Sequence, residues 1–453
     1  MQIKRPFLLV SAFVFGCAVF GADDYSMIRS LPQVKELEHQ RAKLAGDKYR
    51  PKYHFSVPAN NMNDPNGLTW WGGKYHLFYQ FVPPRGDTVL LPRGLGWGHA
   101  VSEDLVHWQD MPIAFHPEKD KGDGDACYSG QNMVDGDKVI AFYHGKNSGN
   151  CIALARDKWL MHWEKNPANP VVPNPKPGEK LPYPVFDPCI WKVGDTYYSL
   201  SGGRRNIPGL GWTRIDTDYL FKSTDLTNWE PVHDFYEGGY FTNMDEDAAV
   251  PNFLPLGDKN NRWMLMFFSH PRGAQYYVGR YHKDQEKFLP MYHGRINNGP
   301  MTLPGERIGT FNAGSLHAPS ATIDGKGRII GMFNMLEGVD KEQIKAQGWN
   351  QTMALPRVFE WEDDGNEFAP GRRPQDGVMR ITPTEELAAL RTASASYKNI
   401  KLPANKDVFI VPHGKSLEIV AEIDLKDSKQ VGMKVFATKD GQEETLVTFV
   451  QTM

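Results

Sequence analysis

The sequence predicts an all-β chain, a five-bladed β-propeller followed by a partial β-sandwich, and three observations carry that expectation. A Gly-containing turn leading into an alternating aromatic strand recurs five times, with turn glycines at 73, 136, 194, 257 and 325. A second element alternates with it: Ser102-Glu-Asp-Leu-Val-His-Trp108, Ala155-Arg-Asp-Lys-Trp-Leu-Met-His-Trp163 and Ser223-Thr-Asp-Leu-Thr-Asn-Trp229. Each copy reads as a strand end, an Asx-type turn and a buried Trp that closes the unit. The third observation is the abundance of turn formers, 43 glycines and 33 prolines in 453 residues, alongside 12% aromatics. Units of about sixty residues that cover their apolar faces only against one another make a propeller, with a β-sandwich as the alternative.

At the amino end, Lys4 and Arg5 precede an apolar stretch from Phe7 to Phe20, with Val19 and Gly21 before a cut at Ala22. Residues 1–22 are therefore expected to be an export signal, placing the protein in the periplasm or outside the cell. A membrane anchor is the alternative, but the stretch is short for a spanning helix. Cys17 does not suit a lipid, because bulky Phe15 stands where a small residue is usual. Residues 23–50 read as a helical lead-in, capped by Ser30 with Gln33 three residues on and lined by Leu31, Val34, Leu37 and Leu44. The propeller is expected over 51–372. A linker over 373–398 holds a capped helix in Ile381-Thr-Pro-Thr-Glu-Glu-Leu-Ala-Ala-Leu-Arg391. From 399 to 453 the pattern turns to strands, as in Leu417-Glu-Ile-Val-Ala-Glu-Ile-Asp424 and Gly432-Met-Lys-Val-Phe-Ala437, too few residues for a whole sandwich.

The charge balance, 51 basic against 54 acidic residues, gives −3 and no basic surface for nucleic acid. Mean hydropathy of −0.50 argues against a polytopic membrane protein. Without Cys17, the odd set Cys127, Cys151 and Cys189 defines no disulfide framework. No Cys-x-x-Cys or His-x-x-x-His spacing supports a metal, and no cofactor motif is present.

Propellers gather catalytic groups where innermost strands converge, so acidic residues near blade starts are the candidates. Asn60-Asn-Met-Asn-Asp-Pro-Asn-Gly67 sets Asp64 among Asn side chains that would keep it hydrogen-bonded and ionised, as a nucleophile requires. Phe186-Asp-Pro-Cys-Ile-Trp191 presents Asp187, and Met244-Asp-Glu-Asp-Ala-Ala-Val-Pro-Asn-Phe253 presents Asp245, Glu246 and Asp247. Each segment alone also reads as a turn or a solvated loop. Together, paired carboxylates with aromatic faces for stacking are the minimum apparatus of glycoside hydrolysis.

On these residues the sequence resembles glycoside hydrolase family 32, the invertase, levanase and inulinase family. Asn61-Met-Asn-Asp-Pro-Asn-Gly67 is similar to its nucleophile motif, Tyr75-His-Leu-Phe-Tyr-Gln80 to the following strand, and Trp97-Gly-His-Ala-Val-Ser-Glu-Asp-Leu-Val-His-Trp108 to its blade-closing signature. Ala318-Pro-Ser320 and Leu355-Pro-Arg357 fall where the family has similar short motifs. The resemblance implies a propeller with an appended sandwich, retaining chemistry on oligo- or polysaccharide such as a fructan or sucrose, and a fructosyl-enzyme intermediate on Asp64. It also implies Asp187 as transition-state stabiliser, with Asn63, Gln80, Trp97, Tyr128 and Ser129 around the sugar.

Two departures stand out. Phe186 replaces the family's Arg before the second Asp, with Arg204 or Arg205 as candidates to substitute. Ala249 occupies the acid/base Glu slot when Val250-Pro-Asn-Phe253 is set on the family motif. The acid is then expected from Glu246, whose stem is longer, or from Asp247, with a raised pKa, and Phe186 would help to dry the pocket. An inverting, arabinanase-like furanosidase and an inactive carbohydrate-binding propeller remain as alternatives.

Overall fold

The computed structural model describes residues 23–84, 90–207, 209–210, 214–257, 261–296, 316–336, 340–362, 377–410, 416–425, 428–438 and 440–450. The expected export signal and Cys17 lie outside them. Five antiparallel sheets follow one another along the chain, each built outwards from its first strand. The innermost strands are Asn61–Trp71, Cys127–Asp135, Pro188–Val193, Ala249–Pro255 and Leu316–Ile323. Each packs beside the next, and the last packs beside the first, so they form a closed ring around one axis.

The recurring turn joins the first and second strands of each blade: Trp71 pairs with Lys74, Asp135 with Lys138 and Val193 with Thr196. Gly73, Gly136 and Gly194 adopt φ of 78°, 63° and 59°, which explains glycine there. In blade five the left-handed residue is Gly327 rather than Gly325, because the turn between Ile323 and Ile329 is longer.

Adjacent residues on a strand face opposite sides of the sheet, so every blade needs two apolar faces. Leu77 packs with Ile330 and Met332 of blade five, while its neighbour Phe78 packs with Val139 and Tyr143 of blade two. Ile190 likewise faces Ile140 and Phe142, and Trp191 faces Phe253 and Phe267. Met264 and Met266 meet Leu316 and Ile329 to complete the circuit. The abundant aromatics thus fill the seams between blades. The ring is fastened by polar contacts, Asn350 Oδ1 accepting from the Met62 amide at 2.8 Å and Tyr75 donating to Asp324 at 2.9 Å.

The Asx turns form as the spacing requires. Asp104 accepts from the amides of Val106 and His107, Asp225 from those of Thr227 and Asn228, and Asp157 from those of Trp159 and His162. Trp108 and Trp163 each return an indole hydrogen bond of 2.9 Å to the leucine three residues before.

The lead-in is two helices, Asp23–Ser30 and Pro32–Lys43, not one capped by Ser30. Ser30 ends the first, its hydroxyl donating to Met27 O, and Pro32 starts the second without a side-chain cap. Val34 and Leu37 are buried as expected, and Arg41 grips Asp110 with two 2.7 Å hydrogen bonds, covering the short outer strand Gln109–Asp110 of blade one.

Residues expected as a linker instead supply the outer strand of blade five, Val378–Pro383 paired with Arg357–Glu362. Only Glu385–Leu390 is helical, as a 3-10 turn. The chain divides into a unit ending at Leu390 and a second over Arg391–Met453. In the second, Gln430–Val435 pairs with Thr445–Val450, whereas the alternating stretch 417–424 forms no strand. Alternation supplies a face but not a neighbour to hydrogen-bond. Cys127, Cys151 and Cys189 are all free and buried.

Candidate active site

The innermost strands of blades one, two, four and five share an irregularity at the same end. The pairing slips between Met62 and Pro65, between Cys127 and Gly130, between Ala249 and Asn252, and between His317 and Pro319. A bulge turns a strand and re-aims its side chains, and here it falls on the residues that carry the chemistry. Asp64 lies within the first slip and Ser129 within the second.

These two side chains meet. The Ser129 hydroxyl donates to Asp64 Oδ2 at 2.5 Å, and Gln80 Nε2 donates to Ser129 Oγ at 2.7 Å and to the same carboxylate at 3.4 Å. Asn63 holds Gln80 Oε1 at 3.3 Å and accepts from Asn334 and Gln351 of blade five. The donors to Asp64 therefore come from Ser129 and Gln80, not from the neighbouring asparagines. Burial lifts the Asp64 carboxyl above its ordinary range, with the Ser129 hydrogen bond and the charge of His270 opposing that rise.

Asp187 stands just before the first strand of blade three and shares this charged region. Burial, then repulsion from Asp64, pushes its carboxyl up to about 7, against the attraction of His270. Phe186 is 54% exposed, so it is no closed apolar wall. Of the two candidate arginines, Arg204 donates to the Asp245 carbonyl at 3.1 Å, and Arg205 pairs with Asp234 and Glu237.

The two acid candidates part company. Glu246 is 1% exposed and accepts from the Asn243 amide, from Gln275 at 2.6 Å and from Arg295 at 2.9 Å. Burial alone would raise its pKa, but Arg295, the Asn243 amide and Gln275 prevail and hold it below the ordinary range. That is opposite to the rise an acid catalyst needs. Asp247 faces the other group: it accepts from the His270 amide at 2.9 Å and meets His270 Nδ1 at 2.5 Å, and its charge is felt by Asp187.

Trp97 offers no face to a sugar. It is fully buried, stacked 4.8 Å from Phe115, and its indole donates to the Tyr128 carbonyl at 2.8 Å, so it positions the strand bearing Ser129. Tyr128 is half-buried and lies 6.2 Å from the His144 ring. Sequence reasoning missed His270, because Phe268-Ser-His-Pro271 carries no motif and only the hairpin brings it back to Asp247. Among the described residues no cluster of His, Cys, Asp or Glu has the arrangement of a metal site.

Residues 54–370 match the model of the glycosyl hydrolases family 32 N-terminal domain, and 386–453 match that of the family's C-terminal region. The chain belongs to glycoside hydrolase family 32. Its fold class is accordingly a five-bladed propeller with a C-terminal β-sandwich region. The levanase of Bacillus subtilis (strain 168) is 28% identical over 86% of this chain and 55% of its own length. A sucrose-6-phosphate hydrolase of Escherichia coli is 28% identical over 89% of this chain and 79% of its own length. Among solved structures, fructan 1-exohydrolase IIa from Cichorium intybus superposes with a TM-score of 0.58 at 25% identity, covering 77% of this chain and 63% of that one. The chain thus spans little more than half of the levanase that it matches.

Proposed function

We propose that this family 32 chain hydrolyses β-fructofuranosyl linkages, in sucrose or a fructan, by double displacement. Asp64 attacks the anomeric carbon and forms a fructosyl ester, and Asp187 stabilises the positive charge that develops on the ring. The observation that carries this reading is the meeting of the Asp64 and Asp187 charges at the converging innermost strands, with Ser129 and Gln80 holding the nucleophile. Asn63 and Tyr128 would line the sugar pocket. The names of the relatives, among them levanase, sucrose-6-phosphate hydrolase and fructan 1-exohydrolase, agree with such a substrate.

The test is a screen of purified protein on sucrose, inulin, levan and arabinan, with the first-formed product anomer followed by NMR. Release of fructose with retained configuration supports the reading, whereas inversion or activity on arabinan alone refutes it. A second reading, a binding propeller without hydrolysis, is favoured by Ala249 in the acid position, and saturable sugar binding with no product would establish it. Export through residues 1–22 belongs to the same proposal, and secreted material that retains Met1 would refute it.

A further inference from the structure

The loop before the innermost strand of blade four and the hairpin end of its second strand carry a pair that no role has yet absorbed. Ala249 pairs with Phe268 across the ladder, and Ala249, Val250, Phe268 and Ala318 form a small apolar cluster. The slot where a longer acid would stand is therefore filled with hydrocarbon. Just beyond this pair, Asp247 reaches back to His270 with two contacts, one to the backbone amide and one to Nδ1. The Asp247 side chain is 7% exposed, while that of His270 is 42% exposed. The buried carboxylate thus holds an imidazole whose ring reaches solvent at the site.

We propose that His270, oriented by Asp247, is the general acid and base of this enzyme, taking over the role that Ala249 cannot perform. This role rests on the fructosidase reading of Asp64 and Asp187. In the first half-reaction Asp64 bonds to the anomeric carbon, the bond from that carbon to the leaving oxygen breaks, and His270 gives its Nε2 proton to that oxygen. In the second, the neutral imidazole takes a proton from water as the water oxygen bonds to the anomeric carbon and the ester to Asp64 breaks. The cycle returns an ionised Asp64 and a protonated His270, so protons and charge balance. Asp247 is a positioning residue, setting the ring's tautomer and angle.

The charges around the ring favour this use. Burial alone would depress the His270 pKa, but Asp247, Asp187 and Asp64 outweigh it and raise it above the ordinary value, while the neighbouring His317, pushed down to about 4 by burial and by the His270 charge, stays neutral. The imidazole then keeps its proton to higher pH than an ordinary histidine, which favours its use as a donor. Activity should fall on the alkaline side as this proton is lost.

The experiment compares His270→Asn, His270→Gln and Asp247→Asn with the unaltered enzyme on sucrose and on a nitrophenyl β-fructofuranoside, with pH profiles and circular dichroism. The His270 variants should lose about a thousandfold in kcat/KM on sucrose and less than about tenfold on the aryl substrate, whose leaving group needs no proton. Their alkaline limb should vanish. Asp247→Asn should lose activity on sucrose more than on the aryl substrate, because the ring's tautomer is no longer set, and should move the remaining alkaline limb to lower pH, a change that mere loosening would not produce. Equal losses on both substrates in folded variants, or an alkaline limb removed by Asp187→Asn instead, would overturn the role of His270 alone. An unaltered enzyme inert on every β-fructofuranoside would overturn the fructosidase reading itself, and this role with it.

Discussion

A buried acid, Glu246, and two partly buried ones, Asp64 and Asp187, differ in how their charge is answered. Glu246 faces Arg295, Gln275 and the Asn243 amide, and its pKa falls. Asp64 is answered by the Ser129 hydroxyl and the charge of His270, Asp187 by His270 against repulsion from Asp64, and both rise. Desolvation pushes all three carboxyls up, so desolvation alone does not make a carboxyl reactive. An acid with its charge matched on all sides is part of the scaffold, whereas one left short of donors keeps a tendency to take a proton or an electrophile. Substitutions that leave shape and remove charge should separate the groups.

The largest effect is expected at Asp64. Asp64→Asn should lower hydrolysis by at least about a thousandfold with circular dichroism unchanged, because an amide cannot form the ester. Turnover within tenfold of the unaltered enzyme would remove Asp64 from the mechanism and merge the two groups into one.

Glu246→Gln should act on the scaffold instead. It leaves the partly buried Arg295 without its counter-charge and should cost about 3 kcal/mol of stability, read from urea unfolding. The loss of activity should be the same for good and poor leaving groups. A selective loss on poor leaving groups, with stability intact, would give Glu246 the acid role after all.

That contrast also shows how far the sequence could be read. Blade number, the strand-one to strand-two turns and the Asx–Trp corners were legible, because each depends on a few residues at fixed local spacing, as in Asp104 to Trp108. Asp64 and Asp187 were legible by resemblance to family motifs. The preference for Glu246 over Asp247 was argued from stem length, but the partners that answer each charge, Arg295 and His270, arrive from strands tens of residues away. His270 left no local trace for the same reason. The strand Val378–Pro383 was missed because only its neighbour, Arg357–Glu362, defines it. Trp97 shows the converse, a motif residue whose importance is real but structural.

A smaller effect is expected from Asp187→Asn on stability. The folded carboxyl is raised to about 7 from 3.8, so the folded state prefers the protonated form. Its contribution to stability is intact below pH 4 and is lost as pH rises from 4 to 7, where the unfolded chain ionises more readily. The amide removes that loss. Asp187→Asn should therefore be stabilised relative to the unaltered protein at pH 8, on the order of 2 kcal/mol, and by little or nothing at pH 4. A Tm difference that is the same at both pH values would mean that Asp187, like Glu246, is matched in charge.

The mildest test adjusts the answer to Asp64 without touching its carboxyl. The Ser129 hydroxyl donates at 2.5 Å to Oδ2, the oxygen that Gln80 reaches only at 3.4 Å, so Ser129 is the stronger of the two donors. Ser129→Ala removes that donor from the ionised form and should raise the Asp64 pKa further. The acid limb of the activity profile, where the nucleophile becomes protonated, should then move to higher pH. On the plateau the loss should be no more than about tenfold, since one charged hydrogen bond contributes about 1.5 kcal/mol and Gln80 can close on the vacated oxygen. Ser129→Thr, which keeps the hydroxyl, should return the limb towards its original place if the methyl is accommodated. An acid limb that does not move in Ser129→Ala would mean that Asp64 is governed by burial and by its neighbours Asp187 and His270, with the hydroxyl serving only to orient it.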